Sequence, residues 1–168
     1  MKYKSHILLL LVIGSFYTSC KKYPEDNSIS LHTVKHRLTR SSWKVMEVLY
    51  NGDNINVTYN NSLILGKIEE VQIKFIYNNV QEPSTVRFSY NGNEDYFFCG
   101  GEWSFFEKKK YLSINDFAGS GSVDSVSLHD TNILDNLFAK YWTIIKLYKT
   151  DLKLKNKKGY EIIFKAVK

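Results

Sequence analysis

Val71-Gln72-Ile73-Lys74-Phe75-Ile76-Tyr77 decides the fold class. Val71, Ile73, Phe75 and Tyr77 alternate with Gln72, Lys74 and Ile76, and successive strand side chains point to opposite faces. A period of two therefore sets one face on a core and the other toward water. The alternation recurs at Val86, Phe88 and Tyr90, at Leu112 and Ile114, at Leu152 and Leu154, and at Tyr160, Ile162 and Phe164. Asn51-Gly52, Asn91-Gly92 and Lys157-Lys158-Gly159 stand between such runs as hairpin signals. Short antiparallel strands at this spacing predict a mainly β sandwich or barrel.

Two segments break the period. Leu31, Val34 and Leu38 fall at i, i+3 and i+7, which predicts a short helix within 31–41 with Ser30 as its cap. Ile133, Leu134, Leu137, Phe138 and Tyr141 predict a second helical segment before the last strands, capped by Asp130 or Thr131. Residues 117–127, with Ala118-Gly119-Ser120-Gly121-Ser122, read as a loop leading into it.

With 168 residues, 43% of them apolar and 15% aromatic, the chain has room for one domain with a real core. Two Pro and 9 Gly exclude collagen-like or Pro-rich material, and 2 Cys cannot make a disulfide scaffold. Residues 1–19 stand apart. Lys2 and Lys4 precede the apolar run Ile7-Leu8-Leu9-Leu10-Leu11-Val12-Ile13, too short to span a bilayer and of the right length for an export signal. Residues 20–30 carry no periodicity and read as a tether, residues 31–41 as the short helix, and residues 42–168 as the barrel domain. Cys99, flanked by Tyr96, Phe97 and Phe98 on a strand and by acids rather than cations, reads as a buried small apolar residue.

Two resemblances sharpen this. Tyr17-Thr18-Ser19-Cys20 resembles the lipobox of bacterial lipoproteins of Bacteroidota type, with Tyr17 where Leu is usual. That resemblance implies cleavage between Ser19 and Cys20, acyl chains on Cys20, and residence in the cell envelope on the outer membrane, its face left open. Glu25-Asp26 resembles weakly the acidic export tags of surface lipoproteins, from which Lys21-Lys22 and Pro24 depart. The domain itself is similar to the lipocalin-like domains of such lipoproteins at three places: Trp43-Lys44-Val45-Met46-Glu47-Val48, Gly101-Glu102-Trp103-Ser104-Phe105, and the closing run from Trp142 through Leu152-Lys153-Leu154 to Phe164. Ser41 stands where that pattern has Gly. The resemblance implies an up-and-down barrel of about eight strands.

No constellation for catalysis emerges, and the expectation is a protein without enzymatic activity, cofactor or metal. His32 and His36 share a helix face but lack the Glu of His-Glu-x-x-His and a third ligand. His129-Asp130 lies near Ser120 and Ser122, yet Gly119-Ser120-Gly121-Ser122 is not a nucleophile elbow. Glu69-Glu70 and Glu94-Asp95 sit in expected turns. The basic runs at Lys108-Lys109-Lys110 and residues 153–158 read as solvated turns with an affinity for anionic lipid, not as a nucleic-acid surface. Tyr77, Phe88, Tyr90, Trp103, Phe105 and Phe164 are the aromatics able either to line a cup for a small apolar ligand or to fill the core. Two functions stay open: a membrane-anchored carrier of a small apolar molecule, and an accessory lipoprotein docking on an envelope protein complex for secretion, motility or nutrient uptake. Replacing Cys20 by Ala is expected to leave the chain unprocessed and to shift its membrane fractionation; identical maturation of both forms as soluble proteins would falsify the lipobox assignment.

Overall fold

The structure, a computed structural model, describes residues 23–26, 32–78, 84–90, 97–118, 125–138 and 140–167, with backbone alone at 97–99, 116–118 and 125–128. Ser19, Cys20, Ser30, Leu31, Asn91-Gly92, Ser120, Ser122 and the side chain of Cys99 lie outside the described residues.

The alternating runs form nine antiparallel strands: β1 (Ser42–Tyr50), β2 (Asp53–Asn54), β3 (Val71–Ile76), β4 (Thr85–Tyr90), β5 (Phe97–Phe106), β6 (Tyr111–Ala118), β7 (Tyr141–Tyr148), β8 (Asp151–Lys155) and β9 (Tyr160–Val167). Each strand from β3 to β9 pairs with the next, and β1 pairs with both β3 and β9. The result is a closed eight-stranded barrel, with β2 added at the end of β1. Closure is extensive, since β1 and β9 align from Ser42↔Val167 to Tyr50↔Tyr160. Asn51 and Gly52 both have positive φ, 52° and 96°, as the tight β1–β2 hairpin requires. At Gly159, φ is 91° and a Cβ would come within 2.2 Å of the Asn51 side chain, so the β8–β9 turn requires glycine.

Among the described residues three helices accompany the barrel: α1 (Val34–Thr39), α2 (Asn56–Asn60) and α3 (Ser125–Phe138). Helix α1 starts later than expected. Its cap is Thr33, whose hydroxyl accepts from the His36 N–H at 3.2 Å. Helix α3 starts earlier than Asp130 or Thr131, because both are buried inside it rather than capping it. The loop expected over 117–127 accordingly shortens: Phe117 and Ala118 belong to β6 and residues 125–127 to α3.

Inward residues pack from both ends. Trp43, Phe75, Phe88, Phe138, Trp142 and Phe164 are all under 2% exposed. From α3, Phe138 meets Phe88 and Phe164 at ring distances of 5.1 and 6.4 Å, so this helix closes the end of the barrel where β4 finishes. Buried indoles need an acceptor. Trp43 donates to the Leu38 carbonyl at the end of α1, Trp142 to Phe138 at the end of α3, and Trp103 to Ile76 at the end of β3.

The segment expected to be a free tether is not free at residues 23–26. The β6–β7 ladder has only three pairs, Tyr111↔Thr143 to Ser113↔Tyr141, which leaves the farther part of β7 without a strand on that side. The N-terminal segment covers it. Glu25 donates its N–H to the Ile145 carbonyl at 3.1 Å, and Asp26 accepts from the Leu147 N–H at 2.8 Å. Arg37 pairs with Asp26 at 2.9 Å and donates to the Leu147 carbonyl. Asp26 and Arg37 are 2% and 5% exposed, so the pair is buried in the wall. Cutting one partner from a buried pair leaves the other charge uncompensated. Asp26→Ala is therefore expected to lower unfolding free energy by about 3–5 kcal/mol. Asp26→Ala with Arg37→Met should lose less than Asp26→Ala alone, by equilibrium denaturation of both.

Candidate functional site

On β6, β7 and β8 the inward residues Leu112, Ile114, Trp142, Ile144, Leu152 and Leu154 are all buried. The residues between them face outward, and on β6 and β7 several are aromatic or polar: Tyr111, Asn115, Tyr141 and Thr143. They form one wall of a cleft of about 500 Å³. Phe106, at the end of β5, stacks on Tyr111 with ring centroids 5.8 Å apart and meets Tyr141 edge-on at 5.4 Å. Tyr141 is 67% exposed. The rim carries Lys140, Lys157, Lys158 and Glu107.

Two turns shape this cleft. Between β5 and β6, Glu107, Lys108 and Lys109 adopt φ of 46°, 56° and 66°. Three successive non-glycine residues in left-handed backbone cost roughly 1–2 kcal/mol each, and contacts from outside hold them. The Tyr23 hydroxyl donates to the Lys109 carbonyl at 2.8 Å, and the Ile144 N–H donates to the Lys110 carbonyl at 3.1 Å. At the β8–β9 turn, Asn156 is 7% exposed. Its Oδ1 accepts from the Lys158 and Tyr160 N–H groups at 2.9 and 3.1 Å, while its buried Nδ2 has no hydrogen-bond partner. A buried donor left unmade is costly, of order 1–3 kcal/mol, and here it belongs to a residue that lines the cleft.

Lys140 stands at the start of β7 with its ammonium 5.2 Å from the Tyr160 ring centroid. Burial holds its pKa below the usual lysine value and the Lys158 charge adds to this, while Asp135 opposes it. An incoming acid would relieve that unfavourable setting. The cleft thus offers aromatic faces and three ammonium groups. These suit a ligand with an apolar or planar part and an acidic or acceptor-rich part.

Of the aromatics able either to line a cup or to fill the core, most fill the core. Phe88, Tyr90, Trp103 and Phe164 are buried. Phe105 is half-buried against Trp103, with ring centroids 5.1 Å apart. Tyr77 lies beyond the end of β3, 43% exposed, with the Lys35 ammonium 3.3 Å above its ring. Tyr90 donates to Asp130, whose carboxylate also accepts from the Ile64 and Leu65 N–H groups, each at 2.9 Å. Asp130 ties α3 to that loop and does not act with His129, which contacts the Ser62 carbonyl. Glu69 and Glu70 form a 3₁₀ turn rather than an open loop, and Glu69 accepts from Asn56 and Asn60. His32 and His36 place their rings 4.6 Å apart on the surface. Among the described residues no three His, Cys, Asp or Glu side chains gather in a way that holds a metal. Phe106, Tyr111 and Asn156 were not singled out from sequence, and Tyr141, expected on the helical segment, instead opens β7 because the helix ends at Phe138. For Tyr111, outward parity beside inward Leu112 and Ile114 was the available signal.

No protein-family model matches the chain, and no curated protein is significantly similar to it. Solved structures are similar. A lipocalin-like protein from Bacteroides uniformis ATCC 8492 superposes with a TM-score of 0.50 at 16% identity, over 78% of this chain and 99% of that one. An uncharacterized protein from Bacteroides eggerthii DSM 20697 gives 0.46 at 14% identity, over 76% and 98%. A protein from Burkholderia xenovorans gives 0.46 at 10%, over 88% and 98%. The first of these, with the closed eight-stranded barrel, makes the fold lipocalin-like. Neither Bacteroides protein carries an enzymatic name.

The depressed pKa leaves more of Lys140 as free amine at neutral pH than an ordinary lysine has. Amine-reactive labelling followed by peptide mass mapping is expected to modify Lys140 ahead of Lys109. Equal rates would remove the electrostatic account of the cleft.

Proposed function

We propose that this protein is a non-catalytic binding module of the cell envelope, held on the outer membrane by acyl chains on Cys20, and that it binds through the cleft over β6, β7 and β8. The anchor rests on the sequence, where the apolar run of residues 7–13 leads to Ser19-Cys20. Two or three long acyl chains, at about 0.8 kcal/mol per buried CH₂, would hold such a protein on a bilayer almost permanently. The binding reading rests on one observation: a cleft of about 500 Å³ whose lining brings Phe106, Tyr111 and Tyr141 together with Lys140, Lys157 and Lys158. That volume falls in the range of small-molecule sites. The described inward aromatics, in contrast, are engaged with one another and with α3.

A second reading, docking on an envelope protein complex, has its own observation. Val57, Ile64 and Leu65 are 70%, 59% and 40% exposed on α2 and the segment after it, and exposed apolar groups on a short stretch suit a protein contact. Native mass spectrometry of the acylated protein taken from its own membrane separates the two. The binding module is expected to carry a small-molecule adduct that Tyr141→Ala and Lys140→Ala each weaken. A stable protein partner without an adduct would establish the docking reading in its place.

A further inference from the structure

The clamp on residues 23–26 and the position of Cys20 together fix how the barrel would lie on a membrane. Only Lys21 and Lys22 separate Cys20 from Tyr23, and the three Cα–Cα steps reach at most about 11 Å. Tyr23 is 2% exposed and its hydroxyl holds the Lys109 carbonyl, so the acylated residue cannot drift far from the β5–β6 turn. That turn presents Lys108, Lys109 and Lys110, all exposed. The cleft begins at the same turn, with Phe106 and Glu107, and its far rim adds Lys140, Lys157 and Lys158.

We infer that this wall is the membrane-facing surface of the protein, and that the cleft takes the headgroups of anionic phospholipids in the bilayer that holds the anchor. The inference rests on the proposed acylation of Cys20 and names the ligand class for the cleft of that reading. Three arguments converge. The chain-length limit is close to the distance, about 8–10 Å, over which exposed charges act at ordinary salt. Lysines around exposed aromatic rings are the side-chain set that suits a lipid–water interface, where rings enter the headgroup layer and ammonium groups meet phosphate. Six lysines face one rim acid, Glu107, across the turn and cleft, a charge balance that suits phosphate.

The test uses the full acylated protein in vesicles that carry a lipid-borne quencher. In a Cys99→Ser background, a fluorophore is placed on Lys108→Cys or on Lys74→Cys. Lys74 is exposed on β3, four strands round the barrel from β7 in either direction. Quenching is expected to be several-fold stronger at 108 than at 74. It should rise when phosphatidylglycerol is added to phosphatidylcholine, and that rise should vanish in high salt or with Lys109→Glu and Lys110→Glu combined. Equal quenching at the two positions overturns the assigned face. Strong quenching at 108 that ignores both phosphatidylglycerol and salt overturns the recognition of anionic headgroups. A cross-link from 108 to a protein in native membranes overturns the lipid as occupant. A chain that stays off the vesicles and takes label at position 20 overturns the acylation itself.

Discussion

A barrel is stable only when every strand edge inside it has a partner, and here two seams are too short to supply one. The β1–β3 and β6–β7 ladders have three residue pairs each. Beyond them the backbone of β1 and β7 would present bare N–H and C=O groups at the wall, a cost that native proteins almost never accept. Buried polar side chains stand in for the missing strands. At β1, Asn56 accepts from the Val48 N–H at 2.7 Å and donates to the Met46 carbonyl at 3.0 Å. Ile55 donates to the Val48 carbonyl, and Glu69 steadies the Asn56 amide at 2.7 Å. At β7 the same task falls to Asp26 and Arg37, which together occupy both backbone groups of Leu147. One repair comes from the loop after β2, the other from the chain N-terminal to the barrel.

The second seam also accounts for the cleft. Past Ser113↔Tyr141 the two strands no longer pair, and the last link is the Ile114 N–H donated to the Lys140 carbonyl at 3.3 Å. Tyr141 and Lys140 therefore sit where the wall parts, and the turns carrying Phe106 and Asn156 border the opening. The seam that has to be repaired from the N-terminal side is thus the one that opens into the cleft. Residues 23–26 are at once part of the wall and the route to the chain's leading end.

The strands were legible because period-two alternation is a local property. Val71, Ile73 and Phe75 fall inward as the pattern requires. The pattern failed at Tyr77, because alternation states which face a residue would occupy but not where the strand stops. Asn51-Gly52 was legible because its turn depends on two residues alone. The polar repairs were not legible. Asp26 reads as one polar residue in an unpatterned stretch, and its partner group is the backbone of Leu147, 121 positions away. Asp130 met the local criteria for a helix cap, yet its acceptors were claimed by Ile64, Leu65 and Tyr90. The cleft aromatics were missed because attention to a barrel's inward face discards outward residues on the same strands.

The long β1–β9 ladder has a consequence for when the protein acquires its shape. Its pairs join Ser42 to Val167, the first strand to the last, so the cylinder cannot close while any strand is missing from the nascent chain. Loop closure over such a separation is entropically costly and makes folding slow compared with a helical chain of equal length. The clamp on β7 is delayed for the same reason, since the Asp26–Arg37 pair has no strand backbone to grip until residues 145–147 have arrived. An incomplete chain therefore exposes its β1 edge and holds its N-terminal segment free. That is a condition in which a protein can be threaded unfolded through a narrow translocation channel before it locks.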